Sequence, residues 1–174
     1  PWADTLSDRG HDVSVLSCRQ AASATDSRVQ VSRFDVPSNR ASLPKRLLQE
    51  IRLGRDLGRM LRCLDPKPEL TIITSPPFFM ANLCAKTARR LKIPYVLDVR
   101  DRYPRVLFDL NLVSRNGLLG KFLKRMERNM YDGAHLVSTV TQGLTKDLGK
   151  VVAKEKVECF PNGFECESRN PVVL

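Results

Sequence analysis

Tyr95-Val96-Leu97-Asp98-Val99-Arg100-Asp101-Arg102-Tyr103-Pro104 is a short apolar run that breaks into charge. The first five residues predict a strand buried on both faces, because a parallel strand covered by helices needs no polar face. The charged residues then fall at the strand's carboxyl end. In open α/β sheets that end is where ligands bind. Asp98 and Asp101 are therefore candidates to hold or orient a hydroxyl group, or else to cap the next turn.

Similar runs recur on both sides. Residues 12–17 and 28–34 alternate and are rich in β-branched residues, which predicts strands. Leu70–Thr74, Leu136–Val140 and Lys156–Phe160 complete the set, with Leu70–Thr74 again read as buried on both faces. Helical patterns separate them at residues 43–64, 77–91, 117–131 and 143–150. A further helix over residues 1–9 stops at Arg9-Gly10. Strands alternating with helices predict an α/β, Rossmann-like, doubly wound parallel sheet.

Composition limits the function. The chain has 174 residues, of which 42% are hydrophobic, and this suits one domain with its own core. No apolar stretch is long enough to span a bilayer, which takes about 20 residues. The five cysteines (Cys18, Cys63, Cys84, Cys159 and Cys166) are odd in number and lack Cys-x-x-Cys spacing. They do not suggest a disulfide framework or a zinc site. Cys18, Cys84 and Cys159 sit in apolar runs and read as buried thiols, which fits a reducing cytoplasm. His11 and His135 make no metal-ligand pair, so no metal is expected. His11 is expected to bond locally.

The net charge is +10, and half of it lies between Arg40 and Arg62. At about 100° per residue, Lys45, Arg52, Arg55, Arg59 and Arg62 share an arc of about 100°, opposite Leu53, Leu57, Met60 and Leu61. The stripe is either a solvated helix face or a docking surface for anionic lipid. Nucleic acid is not an expected partner, since no aromatic residues interleave with the arginines. Gly54 and Gly58 are expected to leave a shallow groove on the polar side. A second cluster spans Lys121 to Arg128.

Four motifs then fall in order. Arg9–Leu16 (RGHDVSVL), Ser75-Pro76-Pro77, Asp98–Pro104 (DVRDRYP) and Phe160–Glu165 (FPNGFE) resemble segments of glycosyltransferase family 4, which has the GT-B fold. The likeness is greatest to bacterial enzymes of lipopolysaccharide, O-antigen and capsule assembly. It implies that residues 1–164 are the N-terminal, acceptor-side domain of a retaining glycosyltransferase, without its first strand. Residues 165–174 would begin a linker to an absent donor-binding domain, and the 174 residues alone would be inactive. No two glutamates stand eight apart, so the paired-glutamate motif of that second domain is not in the chain.

The resemblance also implies roles. The parent would take a nucleotide sugar as substrate, with no cofactor, and a lipid-linked or membrane-associated glycan as acceptor. It would sit peripherally on the cytoplasmic face of the membrane. Asp101 becomes the catalytic candidate. Ser75, Asp98, Arg100, Asn162 and Gly163 become acceptor- or substrate-binding candidates. Arg100 stands where many family members carry a histidine. An arginine stays protonated and cannot be a base, but it can grip a phosphate or pair with a nearby Asp. Ser75 is read either as a ligand contact or as the cap of the next helix. Asn162-Gly163 reads first as a turn into the interdomain linker and second as a ligand contact, and Ser138, Thr139 and Thr141 could line the cleft. Two rival readings are a stand-alone module for anionic ligands or membrane surfaces, and an α/β nucleic-acid binder.

Overall fold

A computed structural model of the chain describes residues 2–18, 30–34 and 43–162. Helix α1 (Trp2–Asp8) ends where Gly10 takes a left-handed φ of 86°, and the amides of Gly10 and His11 bond back to the carbonyls of Ser7 and Leu6. A residue without Cβ adopts that φ at little cost, so Gly10 is the expected stop. Strands β1 (Ser14–Cys18) and β2 (Gln30–Phe34) pair in parallel. Helix α2 (Leu43–Cys63) leads to β3 (Thr71–Ser75), α3 (Phe78–Arg90) and β4 (Tyr95–Val99). Then come α4 (Arg105–Asp109), α5 (Leu118–Gly133), β5 (Leu136–Thr139), α6 (Gln142–Leu148) and β6 (Val157–Cys159).

Strands β3-β4-β5-β6 form a four-stranded parallel sheet in sequence order, and β1-β2 form a separate pair. Successive crossovers of one hand, taken in one direction, put their helices on one face. That face carries Ile73, Tyr95, Leu97, Val99 and Val137, which make the core with Phe78, Ala81, Ala85, Leu123, Met130 and Leu148 from α3, α5 and α6. Polar side chains tie the layers together. Tyr95 Oη donates to the Met130 carbonyl (2.6 Å), and Asn82 Nδ2 donates to that of Met126 (3.2 Å). Burial pushes the Tyr95 hydroxyl pKa up to about 12.

Four sequence expectations change. Leu70–Thr74 is not buried on both faces: Leu70, Ile72 and Thr74 are exposed. β3 is the edge of its sheet, and its second face lies opposite the helix layer. The groove expected at Gly54 and Gly58 is filled. A Cβ on Gly54 would meet Met80 and Leu83 at 3.0 Å, and one on Gly58 would meet Thr87 Oγ1 at 2.8 Å. The two glycines form the contact by which α2 packs against α3, leaving the arginine stripe outward. Helix α4 was not expected at all. Residues 28–29 of the second expected strand, Cys166 and the proposed linker lie outside the described residues, as does the side chain of Cys18. Cys84 and Cys159 are only partly buried free thiols, and burial pushes the Cys84 pKa up to about 11.

Candidate functional site

The carboxyl ends of β3, β4 and β5 lie side by side, because Thr74, Asp98 and Ser138 are in one register row. Alternation along each strand sends the side chains of Asp98 and Ser138 to the same face, away from the helix layer. Asp98, 4% exposed, uses both carboxylate oxygens. Ser138 Oγ donates to Oδ1 (2.9 Å), and Arg100 Nε donates to Oδ2 (3.1 Å). The main chain reinforces this join, since the Arg100 amide donates to the Ser75 carbonyl (2.9 Å). Asp98 thus positions Arg100, one of the alternatives left open by the sequence.

Arg100 is gripped at one nitrogen only. Its side chain is 48% exposed, and among the described residues its terminal guanidinium nitrogens have no partner. Asp101 beside it is exposed, and its carboxylate makes no bond among the described residues. The strand end therefore presents N–H donors on an anchored cation next to an open carboxylate. Such a pair can bind an anion and accept a hydrogen bond from a hydroxyl.

The loop that follows is fastened from two sides. Tyr103 packs on Phe78 with ring centroids 5.0 Å apart, and Phe78 meets Phe79 edge-on at 5.2 Å. Burial, then the nearby Glu50, raises the Tyr103 pKa. Arg102 reaches the other way, donating to Asp147 Oδ2 (2.7 Å) and Glu127 Oε1 (3.3 Å). Tyr131 Oη also donates to Glu127 Oε1 (3.0 Å), and Arg105 pairs with Asp147. The Arg102 hydrogen bond holds the Asp147 carboxyl at about 2, below its usual range. Burial raises the Glu127 pKa, against the pull of Arg102. Burial likewise pushes up the Tyr131 hydroxyl, with the Glu127 charge adding to the effect.

Of the other expected residues, Ser75 and Ser138 touch this group only through the Ser75 carbonyl and the Ser138 hydroxyl. Ser75 is buried at the end of β3 but caps nothing: the residue before α3 is Pro77, with no side-chain cap bond. Thr139 bonds Thr145 (2.6 Å), and Thr141 accepts from the Leu144 amide (3.2 Å) as the cap of α6. Ser138, Thr139 and Thr141 are thus spent on structure. Asn162 is exposed beyond β6, and Gly163 lies outside the described residues. Lys45, Arg52, Arg55, Arg59 and Arg62 are all exposed on α2, with Arg59 paired to Asp56 (2.8 Å). His11 is exposed. Among the described residues no acidic, His or Cys cluster could hold a metal, and no helix is long and apolar enough to cross a membrane.

Sequence reasoning missed the Arg102–Glu127–Asp147 network. Its members are 25 and 45 residues apart in pairs, so no spacing signals them. The signal present was a third charge, Arg102, in a motif whose first two charges had already been singled out.

A family model described as a glycosyl transferase 4-like domain matches residues 2–163. The chain belongs to that family. The match spans β1 to β6, so the DVRDRYP segment and the strand ends around it are those of a glycosyltransferase-like domain. The fold agrees with a solved structure, the crystal structure of LpCGTa in complex with UDP, at a TM-score of 0.60 and 10% sequence identity. At that identity the likeness shows the fold alone. It covers 94% of this chain and 48% of that one, so this domain spans about half the length of its structural neighbour. No curated relative matches the chain.

Proposed function

We propose that this glycosyl transferase 4-like domain is the acceptor side of a retaining glycosyltransferase. The parent would move a sugar from a nucleotide sugar to a lipid-linked or membrane-associated glycan acceptor in cell-envelope polysaccharide biosynthesis. The observation that carries the reading is the pairing of Arg100, anchored by Asp98, with the carboxylate of Asp101, which has no partner among the described residues. Arg100 offers its free N–H groups to a phosphate of the acceptor or the donor. Asp101 accepts a hydrogen bond from the acceptor hydroxyl and orients it for attack. Ser75, at the end of β3, and Asn162, exposed beyond β6, would complete the acceptor's surroundings together with Gly163, which lies outside the described residues.

The donor would be held mainly by a second domain, across a cleft from these strand ends. The UDP in the solved neighbour supports a nucleotide-sugar donor. The leaving diphosphate would be met by fixed N–H donors, with no metal needed. The α2 stripe supports peripheral placement on the inner, anionic face of the membrane, where each basic residue near the surface contributes about 1 kcal/mol.

The test is transfer of labelled sugar from a nucleotide-sugar panel into the membrane fraction by the full-length parent, beside the 174-residue domain alone. Transfer by the parent and none by the domain is expected. No transfer with any donor would overturn the reading and favour a non-catalytic module for anionic ligands or membrane surfaces, to which the exposed α2 stripe is also suited.

A further inference from the structure

The segment from α4 to the start of α5 turns Phe108 inward and packs Leu107 and Val113 against the core, but leaves its other large apolar side chains exposed. Leu118 is 88% exposed, Leu110 63%, Phe122 58% and Leu119 57%, with Leu112 and Val106 also exposed. These residues sit on one folded unit. The Phe108 ring lies between the Arg115 guanidinium (5.7 Å from its centroid) and Lys124 Nζ (5.5 Å). The amides of Leu112 and Val113 both turn back to the Leu107 carbonyl. The link between the helices then crosses α5 at Gly120, where a Cβ would overlap the Ser114 carbonyl oxygen. The exposed leucines are therefore held in place by packed neighbours, and an exposed apolar patch of this kind marks an interaction site.

Charge identifies the occupant. On α5, Lys121, Arg125, Leu118 and Phe122 share an arc of about 100°. Lys121, Lys124 and Arg125 make no ion pair among the described residues. Apolar side chains at the tip, with unpaired cations on the same arc, suit the boundary between headgroups and acyl chains of an anionic bilayer. Nucleic acid would leave the leucines in water.

We infer that the 106–125 cap is the part of this domain that enters the membrane surface. Leu118, Leu119 and Phe122 lie at the acyl boundary, and Lys121 and Arg125 meet lipid phosphates. The inference rests on the membrane half of the proposed function and deepens it, because α2 exposes only Leu47 (38%) and Leu48 (47%) beside its charge among the described residues, whereas the cap joins its charge to Leu110, Leu118, Leu119 and Phe122, each more exposed. The cap also begins at Val106, five residues after Asp101. Docking it would bring the candidate site to the lipid surface.

The experiment is flotation of the 174-residue chain with phosphatidylcholine vesicles, with and without phosphatidylglycerol. The native chain is expected to float with the anionic vesicles. Leu118→Ser/Leu119→Ser/Phe122→Ser, all at exposed positions, should lower partitioning at least about tenfold without altering the far-UV circular dichroism. Lys121→Glu/Arg125→Glu should remove the preference for phosphatidylglycerol. Phe122→Trp should show a blue-shifted emission with anionic vesicles. Native-like binding by the serine variant overturns the inference. If Arg52→Glu/Arg55→Glu/Arg59→Glu/Arg62→Glu alone abolishes binding, the membrane reading survives and the cap is excluded. Self-association of the native chain that the serine variant loses also overturns it, in favour of a second copy covering the patch. Absence of binding to any vesicle overturns the inference and the membrane placement, and leaves sugar transfer to be judged by its own assay.

Discussion

Residues 98–102 and residues 106–122 leave the same strand end and treat their side chains in opposite ways. In the first stretch Asp98 is bonded at both oxygens, Arg100 is held at Nε, and Arg102 is locked between Glu127 and Asp147. In the second, leucines and a phenylalanine face outward from a tightly folded link. The first stretch holds groups at fixed places, and the second offers a surface. The difference follows from where each side chain can find partners. The bonds of β4 to β5 carry Asp98 and Ser138 into one row, whereas α4 is too short to turn a full apolar face inward.

The largest effect should come from cutting the first stretch. Arg102→Ala leaves Glu127 buried without its cation, which should cost about 3–5 kcal/mol in urea unfolding. A loss below about 1 kcal/mol would mean the network is not what holds the loop. Next is the link of the second stretch. Gly120→Ala pushes a methyl group into the Ser114 carbonyl and should destabilise by about 1–3 kcal/mol, measured the same way. Because that strain is local to the cap, it should also reduce vesicle binding, which Arg102→Ala need not do.

The smallest effect is a matter of pH. The Asp147 carboxyl titrates near 2 in the folded chain, below its ordinary 3.8, chiefly through the Arg102 hydrogen bond. A depressed carboxylate contributes stability that is present above its ordinary pKa and lost as pH falls through the folded value. Asp147→Asn should therefore cost about 1–2 kcal/mol at pH 7, and the gap from the native chain should shrink between about pH 4 and pH 2. A gap that stays constant across that range would contradict the assignment.

Much of the fold was legible because periodicity is local. Tyr95–Val99 and the helix over α3 follow from patterns within a dozen residues. What escaped is set by distance in space. A helical wheel gives the angles of Gly54 and Gly58 but not the approach of Met80, Leu83 and Thr87, so the glycines were read as a groove instead of a contact. Ile72 looks like core in sequence, yet it sits on an edge strand opposite the helix layer. Helix α4 has five residues between Pro104 and Leu110, too few to show a period. At the site, Asp98, Arg100 and Asp101 were legible as a motif. That the second oxygen of Asp98 is also bonded depends on Ser138, forty residues away.

That contrast between neighbouring aspartates is the centre of the account, and the parent's sugar-transfer rate with Asp101→Asn tests it most directly. A carboxylate that orients or deprotonates the acceptor hydroxyl contributes about 10²–10⁴-fold, so kcat should fall by that factor while far-UV circular dichroism and thermal unfolding stay as in the native protein. A native kcat in Asp101→Asn would contradict the claim that the end of β4 works on the acceptor.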